Sequence, residues 1–275
     1  MVYVIKRGNA TYPGNIVDPR GWPGRGSTNT DVIRIQPVTG AGRIGTSVSI
    51  DGNNLIIGSP GKLNISLYTS KPGGNIWTKK AEITRSSNQS ASNGYGTSVS
   101  IDGNSCIVGA PYAVDTDSPN DTNSGRVFIY EINPNASGPN EAYLGLKGII
   151  IGEFKENPTS DKNVNFGTSV AIQDDVAVVG APGYNKKKGA VYVFKRGTST
   201  NMANADNGQG GGWKMDVVQT NDGSADSVDD SAKTNGYTEA RIDGTDNEEL
   251  GRAIGISGNK LIIGSGISNK VRVYT

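Results

Sequence analysis

Residues 95–111 read YGTSVSIDGNSCIVGAP, and three other segments of the chain repeat this pattern. They are IGTSVSIDGNNLIIGSP at 44–60, FGTSVAIQDDVAVVGAP at 166–182 and LGRAIGISGNKLIIGSG at 250–266. Two marker glycines stand 13 positions apart in every copy: Gly45 and Gly58, Gly96 and Gly109, Gly167 and Gly180, Gly251 and Gly264. A repeat at constant spacing indicates one supersecondary unit used four times.

Each copy predicts a β-hairpin. In the first copy Val48 and Ile50 alternate with serines, which is typical of a half-buried strand. Asp51-Gly52 then predicts a tight turn. The continuously apolar run 55–57 predicts a second strand that is covered on both faces, and Pro60 ends it because proline cannot donate to the ladder.

Further strands are predicted after each hairpin. Third strands are expected at 65–68, 127–130, 191–194 and 271–274, and fourth strands at 77–83, 143–151 and 213–219. The opening VYVIKRG at 2–8 nearly duplicates VYVFKRG at 191–197, so it predicts a third strand, with a fourth at 31–36. Four antiparallel strands per repeat, running from buried to polar, are typical of a β-propeller blade.

We therefore expect an all-β fold, a β-propeller of four-stranded antiparallel blades in a single domain over 1–275. It comprises four complete-equivalent blades plus a partial or shared one, in about five sheets. Its parts are the N-terminal strands with an irregular insertion at 1–43 and the repeats 44–94, 95–165, 166–249 and 250–275. Three closures stay open: a small ring with an extra or displaced strand, five sheets with one incomplete, or an arc completed by other sequence.

The repeat resembles the FG-GAP repeat of integrin α-subunits. The two marks stand at Phe166-Gly167 and Gly180-Ala181-Pro182, and the other copies are near variants. The resemblance implies a ligand-binding ectodomain propeller that holds ligands on loops at one face. Many relatives carry an aspartate-rich calcium loop between the first two strands, but here that connection is as short as Asp51-Gly52-Asn53-Asn54. It has no room for several oxygen ligands, so the family's calcium sites are not carried over, and no cofactor is expected.

Composition narrows the function. Only 34% of the residues are hydrophobic and 39 are glycine, which disfavours helices. A net charge of +1 predicts no nucleic-acid partner, and no apolar run is long enough for membrane insertion. The chain has no histidine, which removes Ser-His-Asp and Cys-His catalysis and histidine-ligated metals. We expect no enzyme, although paired carboxylates remain an open route to glycoside chemistry.

Candidate sites lie in loops. Tyr12, Arg20, Trp22 and Arg25 belong to the insertion at 8–30, where a recognition loop or an inter-subunit contact is expected. Lys186, Lys187 and Lys188 sit at a loop tip and are candidates for contact with phosphate or an acidic glycan, with a solvated turn as the alternative.

Three acidic clusters are weaker candidates for calcium, with a solvated loop as the alternative reading. The best is Asp115, Asp117 and Asp121, and the others span 222–230 and 243–249. The single cysteine, Cys106, stands at a core position of the repeat and is expected to be a buried small hydrophobe. Trp77, at the start of an outer strand, is expected to pack structurally.

The expected function is a non-enzymatic interaction module that binds a protein or glycan surface, or neighbouring subunits of an assembly. The chain opens on a strand and shows no apolar leader, which favours a virion component such as a phage fibre or decoration protein. A segment of a cell-surface, integrin-like adhesin is the alternative, so an extracellular or virion-surface location is expected. A lectin or carbohydrate-active enzyme is the alternative of another class.

Overall fold

The computed structural model describes residues 2–5, 32–35, 42–71, 76–85, 93–114, 123–136, 143–151, 163–196, 213–215 and 240–275. Eighteen strands lie in these residues and form five sheets with antiparallel pairing between neighbouring strands. The prediction of an all-β, propeller-like series of antiparallel sheets is confirmed at this level.

The first sheet and the first two repeats follow the sequence closely. The first sheet contains β1 (Val2–Ile5) and β2 (Val32–Ile35). The first repeat contains β3 (Ser47–Asp51), β4 (Asn54–Ser59), β5 (Asn64–Ser70) and β6 (Trp77–Thr84), with a 3₁₀ turn at Pro60–Lys62. The second repeat contains β7 (Ser98–Asp102), β8 (Ser105–Ala110), β9 (Arg126–Ile132) and β10 (Leu144–Ile151). In both repeats, strands that follow each other in the chain are hydrogen-bonded neighbours.

The third repeat departs from the prediction at its outer edge. Its inner strands are β11 (Ser169–Gln173), β12 (Val176–Ala181) and β13 (Ala190–Arg196), with a turn at Tyr184–Lys187. Two short strands, β14 (Trp213–Met215) and β15 (Ala240–Asp243), both pair with β13. Met215 lies opposite Phe194, and Ala240 lies opposite the next residue, Val193. The fourth strand is therefore in two halves along β13. The predicted strand over 213–219 is confirmed at Trp213–Met215, residues 216–219 lie outside the described ranges, and the second half was not predicted.

The fourth repeat contains β16 (Leu250–Ser257), β17 (Lys260–Ser265) and β18 (Val271–Tyr274). Among the described strands, β18 pairs only with β17, so this sheet has three strands where the sheets of the first three repeats have four or five. This agrees with the prediction that the last repeat stops after its third strand.

The sheets pack face to face in chain order through apolar clusters. Ile56 of the first repeat packs with Cys106 and Val108 of the second, and Ile107 packs with Ala177 and Val179 of the third. Val178 in turn packs with Leu261 and Ile263 of the fourth. Each second strand thus sends side chains to both neighbouring sheets. Burial of one such aliphatic side chain contributes about 2 kcal/mol to stability.

The end sheets differ from this pattern. Val2 and Ile35 of the first sheet cover Leu55 and Ile57, but this sheet has only two strands. Val48 and Ile50 on β3 are consequently 52% and 55% exposed, whereas the prediction placed them against a core.

Serine side chains reinforce the contacts between repeats. The Ser47 hydroxyl donates to the carbonyl oxygen of Gly96 at 3.0 Å, and Ser98 and Ser169 make the same bond to Gly167 and Gly251 at 2.8 Å and 2.7 Å. The first marker glycine of each repeat has a positive φ, +87° at Gly96, which favours glycine. The marker glycines therefore belong to the joint between successive sheets as well as to the hairpin.

Candidate interaction site

The loop between the second and third strands of the third repeat, residues 183–189, carries the predicted lysines. We call it the Lys186 loop. Tyr184 anchors its base, since this side chain is 3% exposed and packs edge-on against Tyr192 at 6.4 Å between ring centroids. The guanidinium of Arg241 lies 4.9 Å from the centre of the Tyr184 ring. The loop therefore rises from a fixed aromatic base.

The tip of the Lys186 loop has an unusual backbone. Asn185, Lys186 and Lys187 have φ values of 46°, 56° and 70°, all in the left-handed region, and all three residues are exposed. Such conformations cost non-glycine residues about 1 kcal/mol each, and they persist where surrounding contacts enforce them. The amide of Gly189 donates to the carbonyl oxygen of Tyr184 at 3.0 Å and closes the turn.

The connection into the fourth repeat, residues 244–249, supports the loop from one side. The amide of Glu249 donates to the carbonyl oxygen of Lys187 at 2.9 Å, and the amide of Leu250 donates to that of Lys188 at 3.1 Å. The Lys187 ammonium lies 3.5 Å from the Glu249 carboxylate, and the Lys188 ammonium lies 3.1 Å from Asp246. Because the two lysine side chains are 66% and 39% exposed, these ion pairs hold them only weakly, and the backbone bonds do most of the positioning.

A buried ion pair fixes the connection itself. Glu248 is 1% exposed, and its Oε2 accepts hydrogen bonds from the Thr245 amide and from Arg272 of β18, both at 2.7 Å. Burial alone would raise the pKa of Glu248, but the hydrogen bonds from Thr245 and the Arg272 guanidinium outweigh it and hold the pKa below its ordinary value. Arg272 also donates to the carbonyl oxygen of Asp243 at 3.0 Å. The pair thus joins the last strand to the edge of the third repeat.

This arrangement accounts for the acidic cluster at 243–249. Each of its four carboxylates faces a cationic side chain: Asp243 faces Arg241, Asp246 faces Lys188, Glu248 faces Arg272 and Glu249 faces Lys187. No group of three or more metal-ligating side chains occurs in the part of the chain that the structure describes. The cluster forms ion pairs within the protein, where the sequence suggested a calcium site or a solvated loop.

Several predicted residues lie outside the described ranges. They are Tyr12, Arg20, Trp22 and Arg25 of the insertion, Asp115, Asp117 and Asp121 of the best acidic cluster, and the acidic residues of 222–230. They stay predictions. The structure therefore brings together only the lysines and the 243–249 cluster.

Two predictions about packing are confirmed. Cys106 is fully buried, and burial raises its pKa to about 12, so the thiol stays protonated and unreactive at neutral pH. Trp77 packs against the cluster formed by Val2, Ile35, Leu55 and Ile57.

A polar cluster between the first two repeats was not predicted. Tyr95 donates through its hydroxyl to Tyr130 at 2.7 Å, and Arg85 donates to the same Tyr130 oxygen at 3.0 Å while its guanidinium lies 4.5 Å from the Phe128 ring centre. Burial raises the pKa of both tyrosines. The only signal in the sequence was Tyr95, which stands where the third repeat has Phe166. We assign this cluster to the joint between the sheets, because Tyr95, Phe128 and Tyr130 lie inside the core there and the half-buried Arg85 reaches them from the first repeat.

Comparison with known families agrees with the repeat found in the sequence. The family model of the FG-GAP repeat matches residues 77–130 and 160–194, so the chain contains FG-GAP repeats. Repeats of this family indicate a propeller-type interaction module. No curated protein matches the chain. Within the described residues, every helical segment is too short or too polar to cross a bilayer.

Proposed function

We propose that this protein is a non-enzymatic interaction module that binds an anionic protein or glycan surface through the Lys186 loop. The repeats supply a frame of stacked sheets whose hairpin turns and marker glycines are nearly constant. The loops between second and third strands vary in length and composition from one repeat to the next. Variable loops on a constant frame are where recognition is expected.

The observation that carries the proposal is the preorganised tip of the Lys186 loop. Three successive left-handed residues, two of them lysines, are held out to solvent by backbone bonds to Tyr184 and to the 244–249 connection. A backbone held in a sparsely populated conformation is a feature of binding sites, because the surrounding structure must enforce it. A rigid loop also loses little entropy when a partner binds.

The chemistry of the tip defines the partner. Lys187 is 66% exposed in its side chain, and its ammonium lies 3.5 Å from the carboxylate of Glu249, whose side chain is 15% exposed. A carboxylate or sulfate of a partner can approach the Lys187 ammonium from its exposed side while the pair with Glu249 stays in place. Each such exposed contact contributes at most about 1 kcal/mol. The absence of histidine throughout the chain and the burial of Cys106 support a role in binding without catalysis.

An array of sulfated, sialylated and neutral glycans tests the proposal. We expect salt-sensitive binding to anionic glycans, weakened at least tenfold by the double substitution K186A/K187A. The matched control is K79A/K80A, which removes two exposed lysines from the outer strand of the first repeat and should leave binding unchanged. An equal loss of binding in both variants would show that binding depends on net charge alone and not on the Lys186 loop. Turnover of any bound glycan would overturn the non-enzymatic assignment.

The setting in which the module is displayed is part of the proposal. We favour a virion fibre or decoration component, with a segment of a cell-surface adhesin as the alternative. Mass spectrometry of purified particles and of isolated cell envelopes from the source separates them, because the protein should be enriched in only one of these fractions.

A further inference from the structure

The same apolar face recurs on every repeat. In the first repeat it consists of Ile56 on the second strand and Ile65 and Leu67 on the third. Ile56 pairs with Leu67, and Ile65 pairs with Gly58 two residues along, so the three side chains lie on one face of the sheet. Register places equivalent side chains on the next two repeats: Ile107, Val127 and Ile129, then Val178, Val191 and Val193. All nine side chains are at most 8% exposed, because the following sheet covers them.

The equivalent face of the fourth repeat is open. It consists of Ile262, Val271 and Val273, which are 48%, 63% and 61% exposed, and we call it the end face. Gly264, the second marker glycine of the fourth repeat, also shows that no following sheet packs on this face among the described residues. A Cβ on Gly58, Gly109 or Gly180 would meet the backbone of the following repeat, but a Cβ on Gly264 would meet only Ala253 of its own sheet, at 3.4 Å.

The complementary surface is open at the other end of the series. In each joint within the chain, the apolar face packs against two alternating residues on the first strand of the following sheet. These are Val99 and Ile101 in the second repeat and Val170 and Ile172 in the third, again at most 8% exposed, and the partly buried Ile254 and Ile256 in the fourth. Their equivalents in the first repeat, Val48 and Ile50, are more than half exposed, and we call them the entry patch.

Two strand edges accompany these surfaces. Among the described strands, β18 pairs only with β17 and has no fourth strand beside it, while β1 pairs only with β2 and has no inner strand beside it. Inner strands beside β1 would cover the entry patch, and none lies there within the part of the chain that the structure describes. An apolar face with an open strand edge is a template for pairing with another sheet.

We propose that the end face of one copy of this chain packs on the entry patch of a second copy, with β18 entering beside β1. Each copy presents one half of a contact that the chain builds three times internally, and within the described residues neither half is covered by the other end of the same chain. The two halves are complementary to each other, so a second copy supplies the cover for both. Such head-to-tail contacts are heterologous, so they produce rings or open chains.

The new contact is weaker than the internal joints. Ser47, Ser98 and Ser169 bind the following marker glycine, but the equivalent residue of the fourth repeat is Ala253, which has no hydroxyl group. The end face thus keeps the apolar part of the joint and lacks its hydrogen bond. A contact made by one small sheet face lies at the low end of protein interfaces, so association is reversible and depends on concentration.

Sedimentation velocity over a wide concentration range tests this with two single variants. V273K places a charge on the end face and I50K places one on the entry patch, and each is expected to weaken association at least tenfold. I76K adds the same charge at an isoleucine that is 78% exposed and belongs to neither surface, and it should associate like the unaltered protein.

Mixing the variants decides the geometry. V273K retains an unaltered entry patch, and I50K retains an unaltered end face. In an equimolar mixture the end face of I50K should pack on the entry patch of V273K, and association should stop at the dimer. The mixture also shows that both variants are folded. An unaltered protein that stays monomeric at every concentration would overturn the proposal, as would association of I50K alone, which indicates a symmetric contact between two end faces. Closure of each chain on itself would appear as a monomer destabilised by either variant, and it would equally overturn the proposal.

Discussion

A Cβ atom on Gly109 would overlap the carbonyl oxygen of Gly167, the marker glycine of the following repeat. Gly58 and Gly96 stand in the same relation one joint earlier, and Gly180 and Gly251 one joint later. The second marker glycine is therefore required by the sheet that packs on it and not by its own backbone conformation. The second glycine of the repeat motif is thus explained by the close approach of successive sheets.

Replacing Gly109 by alanine should destabilise the protein strongly. The added methyl group meets backbone atoms that cannot rotate away, so the sheets must separate, and we expect a loss of about 3 kcal/mol in the free energy of unfolding. G264A is the matched control at the equivalent position, where the nearest atom is the Ala253 Cβ at 3.4 Å, and it should cost less than about 1 kcal/mol. Urea denaturation of both variants at low protein concentration measures the difference. Equal losses would contradict the role assigned to the joint.

Replacing Ser98 by alanine should remove one hydrogen bond between the second and third repeats. Its hydroxyl donates to Gly167 at 2.8 Å, and the loss leaves a part-buried carbonyl oxygen without this donor. We expect about 1 kcal/mol of destabilisation in urea denaturation. The reverse change, A253S in the fourth repeat, adds a hydroxyl where none of the described sheets supplies an acceptor across a joint, and it should be neutral at low protein concentration. A stabilising A253S would mean that the hydroxyl acts within its own sheet.

The ion pair between Glu248 and Arg272 should make stability depend on pH. The pKa of Glu248 is held below its ordinary value of 4.5 in the folded protein, so its contribution is fully present above pH 4.5. The contribution is lost as the pH falls through the folded-state pKa. We expect E248Q to cost about 3 kcal/mol at neutral pH, because it leaves Arg272 without its charge partner, and to approach the unaltered protein in acid.

Urea midpoints measured from neutral to strongly acidic pH follow this convergence. E82Q is the control, since Glu82 pairs with Lys79 at the surface and is 45% exposed in its side chain. It should change stability by less than about 1 kcal/mol. A constant gap between E248Q and the unaltered protein at every pH would show that the effect is one of packing.

Cys106 should be inert in the folded protein. Its thiol is fully buried, and burial raises its pKa to about 12, so both access and ionisation are unfavourable. We expect negligible reaction with iodoacetamide at mildly alkaline pH and complete reaction in denaturing urea. Because the chain has one cysteine, mass spectrometry reads the labelled fraction directly. Rapid labelling under native conditions would show that the joint between the first two repeats opens easily.

The repeated hairpins were predictable because every joint imposes the same demands. Turn residues, an alternating first strand and an apolar second strand recur at constant spacing, and the structure places strands at each of these segments. β15 was missed because ARID at 240–243 lies at no repeat spacing, and only pairing with Ala190–Val193 identifies it as a strand. The lysines of the Lys186 loop were found from sequence, but their left-handed backbone and their support by the 244–249 connection were not.

The sequence by itself determined the repeat, the hairpins, the order of strands within a sheet and the burial of Cys106. These follow from local patterns of glycine, proline and alternating apolar residues. Only the tertiary structure decided what lies across each joint: Gly167 lies against Gly109 and Arg272 against Glu248, while Ile262 is left 48% exposed. The physical reason is that these contacts join residues far apart in the chain. Their geometry depends on how one sheet packs on the next, and no local pattern encodes that.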